Sequence, residues 1–408
     1  MSDSGRHAVR GWRTALSAAA GIALIGAVAL SIVTAAVTRM LIVPPRRRKD
    51  DTPVLAVDRR EGTVTLGRNP DSAVPGVYGF EFSGDEGYAR LGAVVEATDG
   101  RVTRRLTGED AGRLAPGVHG QVGGTYYRHP EELGLEFGEV AIETELGKAP
   151  AWFFPAASDH WVVQVHGRAV TRLEPLRAVP VFHDAGYNCL LVSYRNDPDG
   201  PRSADNRYAL GDREWRDVEA AIRHCLAMGA RRILLMGWSM GGATVLQAVS
   251  RSELAAGAVS GLLLDSPVVD WMSALRYQGE LMGLPRLIQS SVLVALGARW
   301  ARAVTGQSQP IDLKRLDVVS SAARLRIPIL LFHSDDDGTI PVDASAALAA
   351  ARPDLVTFER FRTARHTMLW NYDPERWEGA VASWLAERDL LPDLPLGPGQ
   401  EGAHPADP

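Results

Sequence analysis

The chain has 408 residues, with 44 Lys and Arg against 49 Asp and Glu, and a formal net charge of −5. At 46% hydrophobic and 23% charged residues it can bury a large core, which excludes a disordered tail, a collagen-like polymer or one small module and predicts two or three folded units. The near-neutral balance gives no reason to expect a nucleic-acid partner.

The first element is apolar. No charged side chain occurs between Arg13 and Arg39, which leaves 25 uncharged residues from Thr14 to Thr38. As a helix rising ~1.5 Å per residue this run spans about 37 Å and can cross a bilayer. A secretory signal with Arg6, Arg10 and Arg13 as its basic start competes, but such signals carry an apolar stretch of only about 7 to 15 residues, so an uncleaved single-pass anchor in the cell membrane is favoured. Arg39, Arg46, Arg47, Arg48 and Lys49 follow the run. Five basic residues after it against three before favour a cytoplasmic body.

Residues 1–50 are therefore read as an anchor with basic flanks. From 51 to 138, short stretches such as Thr63 to Leu66, Val77 to Phe82 and Arg90 to Val95 alternate partially, and Asp99-Gly100 and Pro116-Gly117 punctuate them. This pattern predicts a small β-rich domain without a long helix.

From 139 to 390 the character changes. Strand-like runs alternate with amphipathic helical windows, the pattern of a mostly parallel sheet covered by helices. Val140 to Thr144 and Ala151 to Phe154 form a predicted hairpin, followed by strands at Trp161–Val165, Cys189–Tyr194, Ile233–Met236, Gly261–Leu264, Ile327–Phe332 and Leu355–Phe361. Helices are predicted at Leu173–Ala185, Trp215–Met228, Ala243–Arg251, Ala344–Ala351 and Pro374–Glu387. An insertion at about 268–325, with helical pieces at Trp271–Met282 and Leu287–Leu296, is either a lid over the strand ends or a helical subdomain packing on itself. Residues 391–408, rich in Pro, Gly and acidic side chains, read as a disordered tail.

Gly237-Trp238-Ser239-Met240-Gly241 matches G-x-S-x-G. It follows an apolar strand-like run and precedes a helical window, the strand–turn–helix setting in which a tight elbow exposes a serine and in which only residues lacking a Cβ fit. A serine hydroxyl needs a base to take its proton and a carboxylate to orient that base. His366 lies just beyond the last predicted strand, and Asp337 lies in the Asp335–Asp337 run after the seventh, with Asp336 and Asp265 as competing acids. The order Ser239, Asp337, His366 is that of a strand-elbow hydrolase. His166 and His333 read as strand-end braces, Trp271 and Trp300 as packing, and Cys189 and Cys225 as reduced core residues. No cluster has zinc-ligand spacing and no glycine-rich loop cradles phosphate, so no metal or cofactor is expected.

On these residues the chain from about Val140 to Leu390 resembles the α/β-hydrolase superfamily, and within it the membrane-linked serine hydrolases of the ABHD (α/β-hydrolase-domain) type. The matching residues are His166-Gly167, Tyr194-Arg195, the segment from Gly237 to Gly242, the acid loop and His366. The resemblance implies an α/β-hydrolase fold with an eight-stranded sheet, selects Asp337 from its run, and implies an oxyanion hole made by the backbone N–H groups of Arg168 and Met240. Ser334 after His333 and Asn196 after Arg195 stand where family members commonly have glycine. The expected activity is cleavage of a small-molecule carboxylic ester or thioester, with lipids among the candidates, through an acyl-enzyme. A peptidase on the same fold and a noncatalytic binding or scaffold protein are the alternatives.

Overall fold

The computed structural model describes residues 3–44, 50–84 and 86–392; the side chains of the first helix are described from residue 24 onward, apart from Gly21. The basic cluster at 46–49 and all but the first two residues of the expected tail lie outside the described residues. Helix α1, Asp3–Ile42, is 40 residues long and longer than its apolar run. Its outer part is exposed at Leu24, Ile25, Val28 and Ile32, while Thr34, Thr38 and Ile42 near its end are buried.

The region from 52 to 123 is a closed barrel of β1 (Thr52–Asp58), β2 (Thr63–Gly67), β3 (Tyr78–Phe82), β4 (Gly87–Ala97), β5 (Arg101–Ala111) and β6 (His119–Gly123), in the order β1-β2-β5-β4-β3-β6. Pairing of Thr52 with Gly120 closes it. Alternation sends Val64 and Leu66 of β2 inward beside Phe80 and Val122. Register shifts along the β4–β5 pair supply the bends that closure requires. Arg104 is also buried inside. Its guanidinium donates to the carbonyls of Gly92, Ser72, Val74 and Gly76 at 2.7–3.0 Å, so the buried charge is satisfied and the 72–76 loop is pinned.

The second body is an eight-stranded sheet, β7 (Gly138–Thr144), β8 (Gly147–Phe154), β9 (His160–Val165), β10 (Asn188–Val192), β11 (Arg232–Trp238), β12 (Val259–Asp265), β13 (Ile329–Ser334) and β14 (Val356–Phe361). Its order is β14-β13-β12-β11-β9-β10-β8-β7, parallel except at β7–β8 and β8–β10. Every residue of β9, β10 and β13 is buried, as expected of strands covered on both faces. The two cysteines are unpaired and buried in different core clusters.

Helices α2 (Val179–Asp184), α3 (Trp215–Ala227), α4 (Met240–Arg251), α5 (Glu253–Ala258), α6 (Trp271–Leu281), α7 (Arg286–Gly297), α8 (Arg302–Thr305), α9 (Asp343–Ala351), α10 (Leu369–Tyr372) and α11 (Pro374–Glu387) complete the body. The helix expected at Leu173–Ala185 is a 3-10 turn, Glu174–Ala178, running into the short α2. Pro175 and Pro180 each remove a backbone donor that a continuous helix would use. The insertion carries α6, α7 and α8, and α7 and α8 pack against α1.

The barrel is fastened to the body at α10. Val77 N donates to Asn371 O at 2.8 Å, Asn371 Nδ2 donates to Gly124 O at 3.1 Å, and Met368 and Tyr372 pack on the barrel core.

Candidate active site

Ser239 sits between the end of β11 and the first residue of α4, with φ 49° and ψ −114°. A non-glycine residue held there is strained, and its surroundings enforce the strain. A Cβ on Gly237 would lie 2.5 Å from Gly241 C, one on Gly241 2.2 Å from Val165 O, and one on Gly242 2.6 Å from Pro267 Cβ. Small residues at these three positions let the helix approach the sheet closely enough to raise the serine.

His366 Nε2 is 2.9 Å from Ser239 Oγ, and His366 Nδ1 is 2.7 Å from Asp337 Oδ2. With Nδ1–H donating to the carboxylate, Nε2 is left to accept from the serine hydroxyl. The other Asp337 oxygen accepts the N–H groups of Thr339 and Ile340, both at 2.8 Å. Burial alone would raise the Asp337 carboxyl. The His366 charge and hydrogen bonds from His333 and His366 outweigh burial and hold it well below the ordinary carboxylate range. Burial likewise opposes a charged His366, but Asp337, with Glu174 and Asp265 beyond it, raises the ring above its ordinary value.

The competing acids are elsewhere. Asp336 faces out and pairs with Arg365 at 3.2 Å. Asp265 is fully buried and accepts from Trp377 Nε1 and Ser266 Oγ, both at 3.0 Å. Burial pushes its pKa up to about 6. Both bracing histidines fulfil that reading. His333 bonds Ser345 Oγ at 2.8 Å and Ile340 O at 3.1 Å, and His166 bonds Gly167 O at 2.8 Å and Asp197 Oδ2 at 2.9 Å.

One of the two tryptophans departs from the packing expectation. Trp300 is 72% exposed and packs on little, because it lies in the turn Arg299–Ala301 at the outer edge of the insertion. Trp271 is buried and also lines the cavity at Ser239. The glycine-replacing residues are accommodated locally. Asn196 adopts φ 71°, which asparagine tolerates, and its side chain bonds Ser203 N and Arg207 O. Ser334 Oγ accepts from Asp336 N at 3.2 Å.

Around the loop at Gly167 lie Glu174 and Arg177, which carry no local sequence signal. Buried Glu174 accepts Gly167 N at 2.8 Å. Fully buried Arg177 lies 3.7 Å from Glu174 and donates to Gly124 O, Asn371 Oδ1 and Thr367 O, each at 2.7 Å. Arg177 thus joins the loop at Gly167, the loop of His366 and the segment leaving the barrel. Arg168 donates from Nε to Leu41 O at 2.8 Å and from Nη2 to Met40 O at 2.6 Å. Met240 opens α4, where first-turn amides lack intrahelical acceptors.

A cavity of about 610 Å³ opens over Ser239 and His366, bounded by residues of α1, the barrel, the Arg168 loop and α6. Of the insertion, Val268 and α6 line this cavity, while α7 and α8 pack against α1. Among the described residues, no group of three His, Cys, Asp or Glu side chains converges on a metal-sized site.

A family model described as "Alpha/beta hydrolase family" matches residues 118–380, more than half of the chain. The chain belongs to the α/β-hydrolase family. A second model, described as a domain of unknown function, matches residues 53–123, the barrel. No curated protein matches the sequence. Among solved structures, an esterase from Pyrococcus furiosus aligns at TM-score 0.50 and 19% identity, over 64% of this chain and 94% of its own. A thermophilic esterase from Thermogutta terrifontis aligns at 0.44 and 18%, over 62% and 99%. A puromycin-hydrolyzing peptidase from Mycobacterium tuberculosis aligns at 0.48 and 19%, over 81% and 45%. At these identities the likeness is one of fold. The hydrolase family and the eight-stranded sheet agree with the sequence reading.

Proposed function

We propose that this hydrolase is a single-pass, membrane-anchored serine hydrolase that cleaves a carboxylic ester or thioester through an acyl-enzyme. The observation that carries the reading is the linear chain Ser239 Oγ, His366 Nε2, His366 Nδ1, Asp337 Oδ2, with links of 2.9 and 2.7 Å, on a strained elbow at the head of a helix. In this reading Ser239 attacks the carbonyl carbon while His366 takes its proton. The N–H groups of Arg168 and Met240 receive the developing oxyanion, each such donor lowering the barrier by about 3 kcal/mol. His366 then gives the proton to the leaving oxygen or sulfur, and water repeats the sequence to free the acid. Asp337 fixes the ring tautomer and stabilises its charge.

The anchor assignment rests on the apolar run of α1 and on the exposure of its outer residues Leu24, Ile25, Val28 and Ile32. Basic residues after the run favour a cytoplasmic body. The test uses the full-length chain in detergent against a panel of short acyl esters, thioesters and peptides. Ester or thioester turnover that disappears in Ser239→Ala supports the proposal. Peptide turnover alone moves the assignment to a peptidase, and a folded protein inert to every class and to a fluorophosphonate probe makes it a binding protein.

A further inference from the structure

The barrel and α1 both lie outside the recurrent hydrolase sheet, yet both contribute to the walls of the catalytic cavity. Leu41 of α1 joins Val268, Trp271, Ala274 and Leu275 on one side. A neighbouring groove is shared by Val37 and Leu41 of α1 with Leu275, Met282 and Val292, so these apolar residues form one continuous wall. Asp71 and Thr125 come from the barrel side and lie with Arg365 and Thr367. Arg365 Nε donates to Asp71 Oδ1 at 3.0 Å, and its Nη1 donates to Asp336 O at 2.7 Å. Asp71 is presented rigidly: Asn69 Oδ1 accepts the N–H groups of Asp71 at 3.0 Å and Ser72 at 2.7 Å, and Arg104 holds the loop that follows.

The chemistry orients a substrate between these walls. The leaving oxygen must come within reach of His366 Nε2, which protonates it. Next to that ring in the chain stands Arg365, tied to Asp71. The carbonyl oxygen must face the amide of Arg168, whose guanidinium grips the carbonyls of Met40 and Leu41. By polarity, an acyl chain matches the apolar wall, and a polar leaving group matches Asp71 and Arg365, the latter being the chain neighbour of His366.

Resting on the serine-hydrolase reading, we propose that the cavity has two subsites, an apolar one for the acyl chain built by Leu41 and α6, and a polar one for a polyol leaving group built by Asp71, Arg365 and Thr125. A carboxylate paired with a guanidinium offers acceptors and donors together, which suits neutral hydroxyl groups. The barrel's role is then leaving-group selection.

The experiment crosses two substrate series on the full-length protein in detergent. At constant acyl group, the glyceryl and ethyl monoesters of butyric acid are compared; at constant glycerol, acyl length is varied. Asp71→Ala and Asp71→Asn are expected to lower the glyceryl-to-ethyl ratio of kcat/KM by about tenfold. Leu41→Phe is expected to shorten the preferred acyl chain without changing the glyceryl-to-ethyl ratio. Equal losses on both esters in the Asp71 variants, or no loss on either, overturn the polar subsite. An unchanged acyl optimum in Leu41→Phe overturns the apolar one. Fluorophosphonate labelling separates these results from failure of the underlying reading: a wild-type protein that neither labels nor turns over either ester is no serine hydrolase, whereas one that labels and lacks the crossed pattern loses only the subsites.

Discussion

The guanidinium of Arg168 closes on the carbonyls at the end of α1, donating to Leu41 O at 2.8 Å from a position 127 residues away in the chain. Ile42 is buried just beyond, and its carbonyl accepts Tyr208 N at 2.8 Å. Cations at a helix C-terminus satisfy carbonyls that have no intrahelical donor and complement the helix dipole. The last turn of α1 is thus part of the body, and the loop proposed to supply an oxyanion donor is braced against it. Arg168→Met keeps the backbone N–H and removes the brace. We expect kcat on a soluble ester to fall about tenfold with little change in KM, since about 1.4 kcal/mol of positioning is one decade, and Arg168→Lys to recover part of it. Steady-state kinetics on the full-length protein checks this.

The pH dependence follows from His366. Protonated, it cannot take the Ser239 proton, and its pKa is raised above the ordinary value of 6.5. Activity is therefore present above that raised pKa and lost as pH falls through it, so the ascending limb of kcat/KM should have its midpoint above about 6.5. In Asp337→Asn, burial acts on the ring without the carboxylate's charge. The limb should then move to lower pH while kcat drops about 10⁴-fold, a pH–rate profile being the measurement.

Gly241 tests the elbow. A Cβ there would stand 2.2 Å from Val165 O and 2.5 Å from His166 O, both backbone atoms of the central sheet and the loop after it. Neither can yield as a flexible side-chain tip would. Gly241→Ala should cost about 3 kcal/mol or more and lower the melting temperature by about 10 °C, read by thermal denaturation.

Arg177 should hold the barrel segment, the Gly167 loop and the histidine loop in register. Arg177→Met leaves Gly124 O, Asn371 Oδ1 and Thr367 O without that donor in a buried place, at a cost of about 3–5 kcal/mol. Hydrogen exchange should show faster opening at 124–137 and 363–372, with the interior of β11 unchanged.

The parts legible in sequence were those whose cause is local. The apolar run of α1, the buried strands β9 to β13 and the glycine elbow at 237–242 all carry their signal within a few residues. The order of Ser239, Asp337 and His366 made their meeting legible as well. Barrel closure was not, because four strands lie between Thr52 and Gly120 in the chain, so their pairing leaves no local signal. The brace made by the Arg168 side chain, and the roles of Arg177 and Asp71, were equally silent, since Arg168 reaches Leu41 across 127 residues, Arg177 reaches Asn371 across 194, and Arg365, the partner of Asp71, lies 294 residues away. Glu174 was silent too: it lies within the predicted helical window Leu173–Ala185, and its carboxylate meets Gly167 N from a buried 3-10 turn.

The central claim is that Ser239 becomes covalently acylated during turnover. Rapid acid quench of the full-length protein with an activated acyl ester, followed by peptide mass mapping, tests it most directly. The account predicts an acyl mass increment on the peptide containing Ser239, absent in Ser239→Ala and accumulating in His366→Ala only at a greatly reduced rate. Undiminished ester turnover in Ser239→Ala, or an acyl group carried by another residue, would contradict it.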